Sequence, residues 1–368
     1  MNPSWKVGRI AGISLHLHVT FPLLLVWVGV NAYLRAGRWG DVADGLGFTV
    51  LLFAIVVLHE LGHALTARRF GIRTRDITLL PIGGLARLDR MPTRAREELA
   101  IAVAGPLVNV ALAFVFLGVA ELRGGPAVRW DASGMEGDLI VRLFWANVSL
   151  AAFNLLPAFP MDGGRVLRAL LALRLDPVRA TDIAALVGRG FAVILAFLGL
   201  LANPLLVLIA LFVWIGAGEE AGATRLKSAL AGVRVEEVML TQFQVLAPED
   251  TLGRAVNQLL AASQQDFPVV SEGRLVGLLR RPEILAALGR PGAGARVGDV
   301  MLRAFPSARA AEPVEHFLAR WREPDRSGAV PVLRDGRLVG LFTLANLGEF
   351  VSVQLVLAQA RAQEADGA

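Results

Sequence analysis

Between Gly190 and Ala217 the chain carries no charged side chain, and this stretch limits the possible folds more than any other. A backbone immersed in hydrocarbon finds no water to bond with. It must satisfy its own N–H and C=O groups, which only helices and closed barrels achieve. Similar apolar runs recur upstream. With about 20 residues needed to cross a bilayer, spans are predicted at 17–34, 47–67, 99–120, 139–157, 183–201 and 204–218. Asn203-Pro204 interrupts the last pair, and Asn-Pro favours a turn, so a tight helical hairpin is expected. A single kinked helix is the alternative, and it would place the C-terminus on the other side of the membrane. The composition agrees: 55% of the 368 residues are hydrophobic and 19% are charged, against roughly 25% charged in soluble domains.

The arginines orient these spans. Arg68, Arg69, Arg73, Arg75, Arg87, Arg90, Arg94 and Arg96 lie between the second and third spans, and Arg165, Arg168, Arg174 and Arg179 follow the fourth. The loops at 35–45 and 121–138 hold two arginines each. Positive loops stay cytoplasmic, so both termini are expected in the cytoplasm of a multi-pass protein of a prokaryotic plasma membrane. The net charge of +5 is accounted for by these flanks. No basic helix or aromatic stacking platform accompanies it, so nucleic acid is not an expected partner. The absence of cysteine removes disulfides, thiolate metal sites and cysteine nucleophiles together. The basic N-terminus followed by an apolar run lacks a small-residue cleavage pattern, and reads as a retained first span rather than a signal peptide.

After Glu219 the character changes. Residues 232–350 read as soluble and contain an internal repeat, with copies at about 232–290 and 294–350. VEEVML at 235–240 answers VGDVML at 297–302, and FPVVSEGRLVGLLRRPEIL at 267–285 answers AVPVLRDGRLVGLFTLANL at 329–347. In each copy two apolar strands flank a polar turn, Glu272-Gly273 or Asp335-Gly336, which is a hairpin signal, and a helix follows. A C-terminal tail is set at 351–368, and within it the stretch from Gln354 to Ala368, rich in Ala and Gln, is expected to fray.

The chemistry concentrates in one apolar span. His59-Glu60-Leu61-Gly62-His63 has the pattern H-E-x-x-H. On a helix, positions i and i+4 share one face, so both imidazoles can bind one zinc ion, with the glutamate placed as general base toward an attacking water. A membrane helix with merely satisfied polar groups is the plain alternative. It is disfavoured because an ionised glutamate at a span centre costs about 2.5–3.5 kcal/mol even on lenient scales. A catalytic zinc takes three protein ligands and keeps one open position. The best third candidate is Asp162 in FNLLPAFPMDGGRVL at 153–167. It lies at the same end of the fourth span as the H-E-x-x-H of the second. Pro157 and Pro160 break the helix there, and Gly163-Gly164 is read as a tight backbone turn. The competing reading makes Asp162 an ordinary cap of a helix beginning near Gly163.

Taken together, HELGH in an apolar helix, NLLPAFPMDGG downstream, and the shorter stretches GISLHLHVTF at 12–21, LLPIGGLARL at 79–88 and AGPLVN at 104–109 resemble the site-2 protease family of intramembrane zinc metalloproteases. The resemblance covers residues 12 to about 170. It implies one zinc ion per chain held by His59, His63 and Asp162, with Glu60 as catalytic acid/base and Asn154 bonding the substrate or the oxyanion. It also implies that Gly83 and Gly84 of PIGG bind substrate as an extended edge; a plain turn is the alternative for these two. His16 and His18 read as interfacial residues.

The repeats resemble a tandem CBS pair. The expected fold class is therefore a multi-span α-helical membrane protein, with about six transmembrane helices in residues 1–220, followed by a C-terminal α+β tandem CBS domain at 232–350. Such pairs bind adenine nucleotides between their halves and frequently dimerise. The matching positions are Arg280 and Glu283 in the first copy and Thr343 and Asn346 in the second. Only Thr343 keeps the family type, so a nucleotide held by Glu283, Thr343 and Asn346 stands beside a purely structural homodimerising module. The function implied is cleavage within, or at the border of, membrane segments of regulatory proteins, of the anti-sigma-factor or membrane-held transcription-factor type. The substrate is then a membrane-spanning protein met in the lipid bilayer, with the CBS pair regulating the cut. The alternative is a CBS-regulated metal-ion transporter, which needs polar groups lining a crossing path.

Overall fold

In the computed structural model, residues 4–81, 83–92, 94–123, 138–261, 264–289, 293–321 and 328–366 are described. The chain divides into two compact units, Met1–Thr224 and Arg225–Ala368.

The first unit opens with two strands, β1 (Ser4–Ile10) and β2 (Ile13–His18), before helices α1 (Thr20–Ala36) and α2 (Trp39–Arg69). A hairpin follows, β3 (Thr74–Leu80) and β4 (Gly83–Leu88). Then come α3 (Ala95–Leu122), α4 (Leu139–Asn154), the short α5 (Asp162–Leu171), α6 (Pro177–Leu201) and α7 (Leu205–Leu230). Each of the six expected spans falls on one of these helices. α2, α3, α6 and α7 are long and apolar enough to cross a membrane, while α1 and α4 are shorter apolar helices of 17 and 16 residues. The hairpin reading of the last pair holds: α6 ends at Leu201 and α7 begins at Leu205. Asn203 accepts the Leu205 N–H at 3.0 Å. The turn is tight enough that a Cβ on Gly199 would stand 2.7 Å from Val207.

The first span begins later than expected because residues before it form a sheet. The strand order is β1-β2-β3-β4, with β1–β2 and β3–β4 antiparallel and β2–β3 parallel. ISLHLH alternates apolar and polar residues, the period of a half-buried strand, but a long helical apolar run follows at once and masks it. Ile13, Leu15 and Leu17 join Phe21, Phe53, Val57, Leu61, Ala64, Ile77 and Leu79 in one core between sheet, α1 and α2. His16 and His18 point the other way along β2; Thr20 donates to His18 Nδ1 through its hydroxyl at 2.7 Å and its N–H at 3.3 Å.

The second unit holds α8 (Val235–Val238), α9 (Leu252–Ala261), the hairpin β5 (Asp266–Ser271) and β6 (Arg274–Arg280), and α10 (Arg281–Gly289). It continues with α11 (Val297–Val300), β7 (Ala308–Arg309), α12 (Val314–Arg320), the hairpin β8 (Val330–Arg334) and β9 (Arg337–Phe342), and α13 (Leu344–Asp366). Both hairpin turns place two residues at positive φ, Glu272 (50°) with Gly273 (77°) and Asp335 (51°) with Gly336 (78°), as two-residue hairpins require.

The two sequence copies do not form two separate cores. Val235 and Val238 pack with Phe317, Val330 and Phe342 of the second copy. Val297 and Met301 pack with Phe267, Leu279 and Ile284 of the first. Leu240 bridges to Leu341, and Leu302 to Leu278. The opening segment of each copy thus completes the core of the other. Helix α13 extends into the tail as far as Asp366, in line with the helix propensity of its Ala, Gln, Leu and Arg residues.

Candidate active site

The site is built where α2 and α3 come close. Gly62 makes that approach possible, because a Cβ there would lie 2.8 Å from the Ala104 carbonyl oxygen and from Val108. On α2, His59 is buried and His63 nearly so. Their Nε2 atoms are 3.1 Å apart. Asp162, the first residue of α5, brings Oδ2 to 3.2 Å from His59 Nε2 and 3.1 Å from His63 Nε2. These atoms form a nearly equilateral triangle. Tetrahedral zinc bound at about 2.0–2.1 Å separates its donors by about 3.3–3.4 Å, so this donor set fits that ion. It is the one such metal-sized group of His, Asp or Glu among the described residues.

Both rings are aimed by their other nitrogen. His59 Nδ1–H donates to Asn109 Oδ1 at 2.5 Å, and His63 Nδ1–H donates to the Ile101 carbonyl at 2.7 Å. Asn109 in turn donates to Asn147 Oδ1 (3.1 Å), and Asn147 to the Leu143 carbonyl (2.8 Å). Both asparagines are fully buried. With each Nδ1 protonated, each Nε2 lone pair points into the triangle; such outer partners set tautomer and orientation. Sequence reasoning did not find Asn109, Asn147 or the Ile101 carbonyl. AGPLVN at 104–109 was the available signal, since it contains both Asn109 and Gly105. Gly105 faces the donors so closely that a Cβ on it would stand 2.7 Å from His59 Nε2.

The segment of turns between α4 and α5 places Asp162. Gly163 and Gly164 are not at positive φ; they sit in the first turn of α5 and serve close packing instead of the expected tight turn. A Cβ on Gly164 would meet Ala158 and Phe159 backbone at 2.6 Å. Neighbouring helices brace the same segment, Gly188 of α6 against Ala158 and Gly216 of α7 against Pro160. Further along α5, Arg168 is bonded to Glu98 of α3 and Glu220 of α7. Burial works against the Arg168 charge, but the two carboxylates outweigh it and keep the guanidinium firmly protonated. Burial likewise works against the Asp162 carboxylate, but when the two rings are protonated and hold no metal, hydrogen bonds from His59 and His63 and then their charge outweigh it and keep the carboxyl well below the usual carboxylate range.

A cavity of about 190 Å³ opens over the triangle, lined by Glu60, Asn154, Arg165 and residues of β4. Among the described residues β4 is an edge strand, paired only with β3. Gly84 backs onto Glu60, where a Cβ would lie 3.0 Å from Glu60 Oε1 and 2.7 Å from its Cγ. Gly83 starts the strand at φ 140°, a backbone open to glycine. Asn154 reaches the cavity from the end of α4 and donates to the Leu150 carbonyl at 2.9 Å.

In the second unit, Thr343 caps α13: its hydroxyl donates to Asn346 Oδ1 and accepts the Asn346 N–H, both at 3.1 Å. Glu283 lies in the first turn of α10, with Oε2 buried and without a hydrogen-bond partner among the described residues, as is Arg280 Nε. Asp266 ties the copies together, accepting the Ala329 N–H at 2.6 Å.

Two imidazoles, a carboxylate and an adjacent glutamate, carried on apolar helices beside an open strand edge, define a zinc metalloendopeptidase of the membrane. The comparisons with known proteins agree. The model of peptidase family M50 matches residues 47–128 and 129–197, and the CBS domain model matches 235–290 and 297–352. A zinc metalloprotease of Methanocaldococcus jannaschii is 35% identical over 76% of this chain and 78% of its own. Rip3 of Mycobacterium tuberculosis is 30% identical over 96% of this chain and 94% of its own. A solved site-2 protease from Methanocaldococcus jannaschii covers 59% of this chain and 95% of its own, at 39% identity and a TM-score of 0.44. The chain belongs to peptidase family M50, and it carries a pair of CBS domains.

Proposed function

We propose that this metalloendopeptidase cuts peptide bonds within, or at the border of, transmembrane segments of membrane-anchored regulatory proteins, and that its CBS pair modulates the cut. The observation that carries the reading is the shared cavity. Edge strand β4, Glu60, Asn154 and the donor triangle all line it. A helical substrate shields its own peptide bonds and must unwind to be cut, and in an apolar setting the freed groups need partners. The open edge of β4 offers them by strand addition.

In this reading His59, His63 and Asp162 hold the zinc, which when bound supplies Lewis acidity toward water and the scissile carbonyl. Glu60 takes a proton from the attacking water and passes it to the leaving amine. Gly84 leaves Glu60 room to do so. Asn154 bonds the substrate or its developing oxyanion. The His59–Asn109–Asn147 chain and the His63–Ile101 bond keep both rings fixed while the substrate changes shape. Both termini lie in the cytoplasm, following the arginine-rich loops. A nucleotide at Glu283, Thr343 and Asn346 is the modulating ligand, and pairing of CBS domains makes a homodimer.

A transporter would need polar residues along a crossing path. The buried polar residues described in the first unit are Thr49, His59, Thr78, Asn109, Asn147, Asp162 and Thr181, and four of them belong to the single network above. The test uses purified full-length protein and a single-span substrate. Glu60→Gln should keep its zinc and lose at least about 100-fold in cleavage rate, the lower end for removing a general base. Equal cleavage by both proteins rejects Glu60 as catalyst. Metal uptake into proteoliposomes that survives Glu60→Gln favours the transporter.

A further inference from the structure

Arg165 follows Asp162 by three residues on α5, so the two share a helix face. It lines the cavity that holds Glu60 and the donor triangle. It also lines a smaller adjoining cavity of about 20 Å³, together with Leu88, Glu98, Ile101 and Arg168. One turn further on, Arg168 is neutralised by Glu98 and Glu220. Arg165 has no hydrogen bond or ion pair among the described residues. It faces the same cavity as Glu60. A half-buried guanidinium without a carboxylate is expensive to keep, and an arginine serving only lipid headgroups turns its head outward to water. Arg165 instead lines the cavity in which a substrate must lie.

The strand tells how far along the substrate it sits. Gly84 stands at Glu60, whereas Leu88 stands with Arg165 at the boundary of the two cavities. Four residues of strand separate them, about 13 Å at roughly 3.3 Å per residue. A substrate laid along β4 with its scissile bond at Glu60 therefore reaches Arg165 about three to five residues away. We propose that Arg165 is a specificity-determining residue that receives an Asp or Glu side chain of the substrate at that distance from the cut. A guanidinium fork matches a carboxylate with two parallel hydrogen bonds. The inference rests on the proteolytic reading and on strand addition at β4.

The experiment scans a cleavable single-span substrate, placing Asp, Ala or Lys in turn at each position on both sides of the cut. Full-length wild type, Arg165→Met and Arg165→Glu are compared, and the zinc content of each is measured. Wild type should favour Asp over Ala at one position by roughly 10- to 100-fold in kcat/KM, the scale for a desolvated charge pair. Arg165→Met should keep its zinc and lose that preference, and Arg165→Glu should prefer Lys there. Wild type that cleaves without an acidic preference at any position overturns the proposal, and this result needs no variant to fold. So does an Arg165→Met protein that keeps the preference, or one that slows all substrates equally. Wild type that cleaves no substrate overturns the proteolytic reading, and this inference with it.

Discussion

Gly105→Ala adds one methyl group to α3 and should empty the metal site. The new Cβ would stand 2.7 Å from His59 Nε2, about 0.7 Å inside the 3.4 Å at which ordinary contact begins. His63 Nε2 is closer still. Neither ring can retreat. His59 is tied at 2.5 Å to Asn109, one turn along the same helix, and His63 at 2.7 Å to the Ile101 carbonyl, one turn back. Helix α3 therefore pushes the rings and holds them at once. Metal distances tolerate about 0.2 Å, so zinc affinity should fall by more than the roughly 100-fold that losing an outer partner can cost. Helix propensity runs in the opposite direction, since Ala is favoured over Gly by about 1 kcal/mol in a helix interior. Gly118, also on α3, has nothing within 4 Å of an added Cβ and makes the control. Zinc per chain by elemental analysis, beside thermal unfolding, reads the outcome. Gly105→Ala should be folded and zinc-poor, Gly118→Ala folded and zinc-loaded. A Gly105→Ala protein with one zinc per chain and full cleavage would refute the geometry argued here.

Three other perturbations separate binding, chemistry and support. Asn109→Ala leaves His59 Nδ1 without its acceptor and should weaken zinc by about 10- to 100-fold, measured by competition with a chromogenic chelator. Gly84→Ala drives a Cβ to 2.7 Å from Glu60 Cγ and 3.1 Å from Val56; a displacement of that size should lower kcat/KM by about 100-fold with zinc content unchanged. Arg168→Met strands Glu98 and Glu220 without their cation, which should cost about 3–5 kcal/mol and show as a large drop in Tm, partly restored in Arg168→Lys.

The pieces of this protein that depend on neighbours in the chain could be read from its residues. The i, i+4 spacing of His59 and His63 puts both rings on one helix face wherever the helix goes. The apolar runs name their helices, and Asn203-Pro204 ends one of them. Glu272-Gly273 and Asp335-Gly336 select two-residue hairpin turns because they can take positive φ. Asp162 was reachable as a third donor by matching depth at the ends of two spans, although nothing in its own segment said which way its carboxylate points.

What stayed hidden involves partners distant in the chain. β2 pairs in parallel with β3 across the whole of α1 and α2, and that pairing leaves β4 as the open edge beside Glu60. Asn109 and Asn147 differ in no visible way from other membrane asparagines until α3 lies against α2 and α4. Gly163 and Gly164 suggest a turn, and only the folded segment above them shows that their missing side chains make space. The repeat displays two matching copies, yet VEEVML and VGDVML each complete the other copy's core. Local spacing sets dihedral angles and faces, and it settled which side chains could do chemistry. Contact between remote segments sets distance and orientation, and only the tertiary fold determined that three donor atoms stand about 3 Å apart with a strand edge beside them.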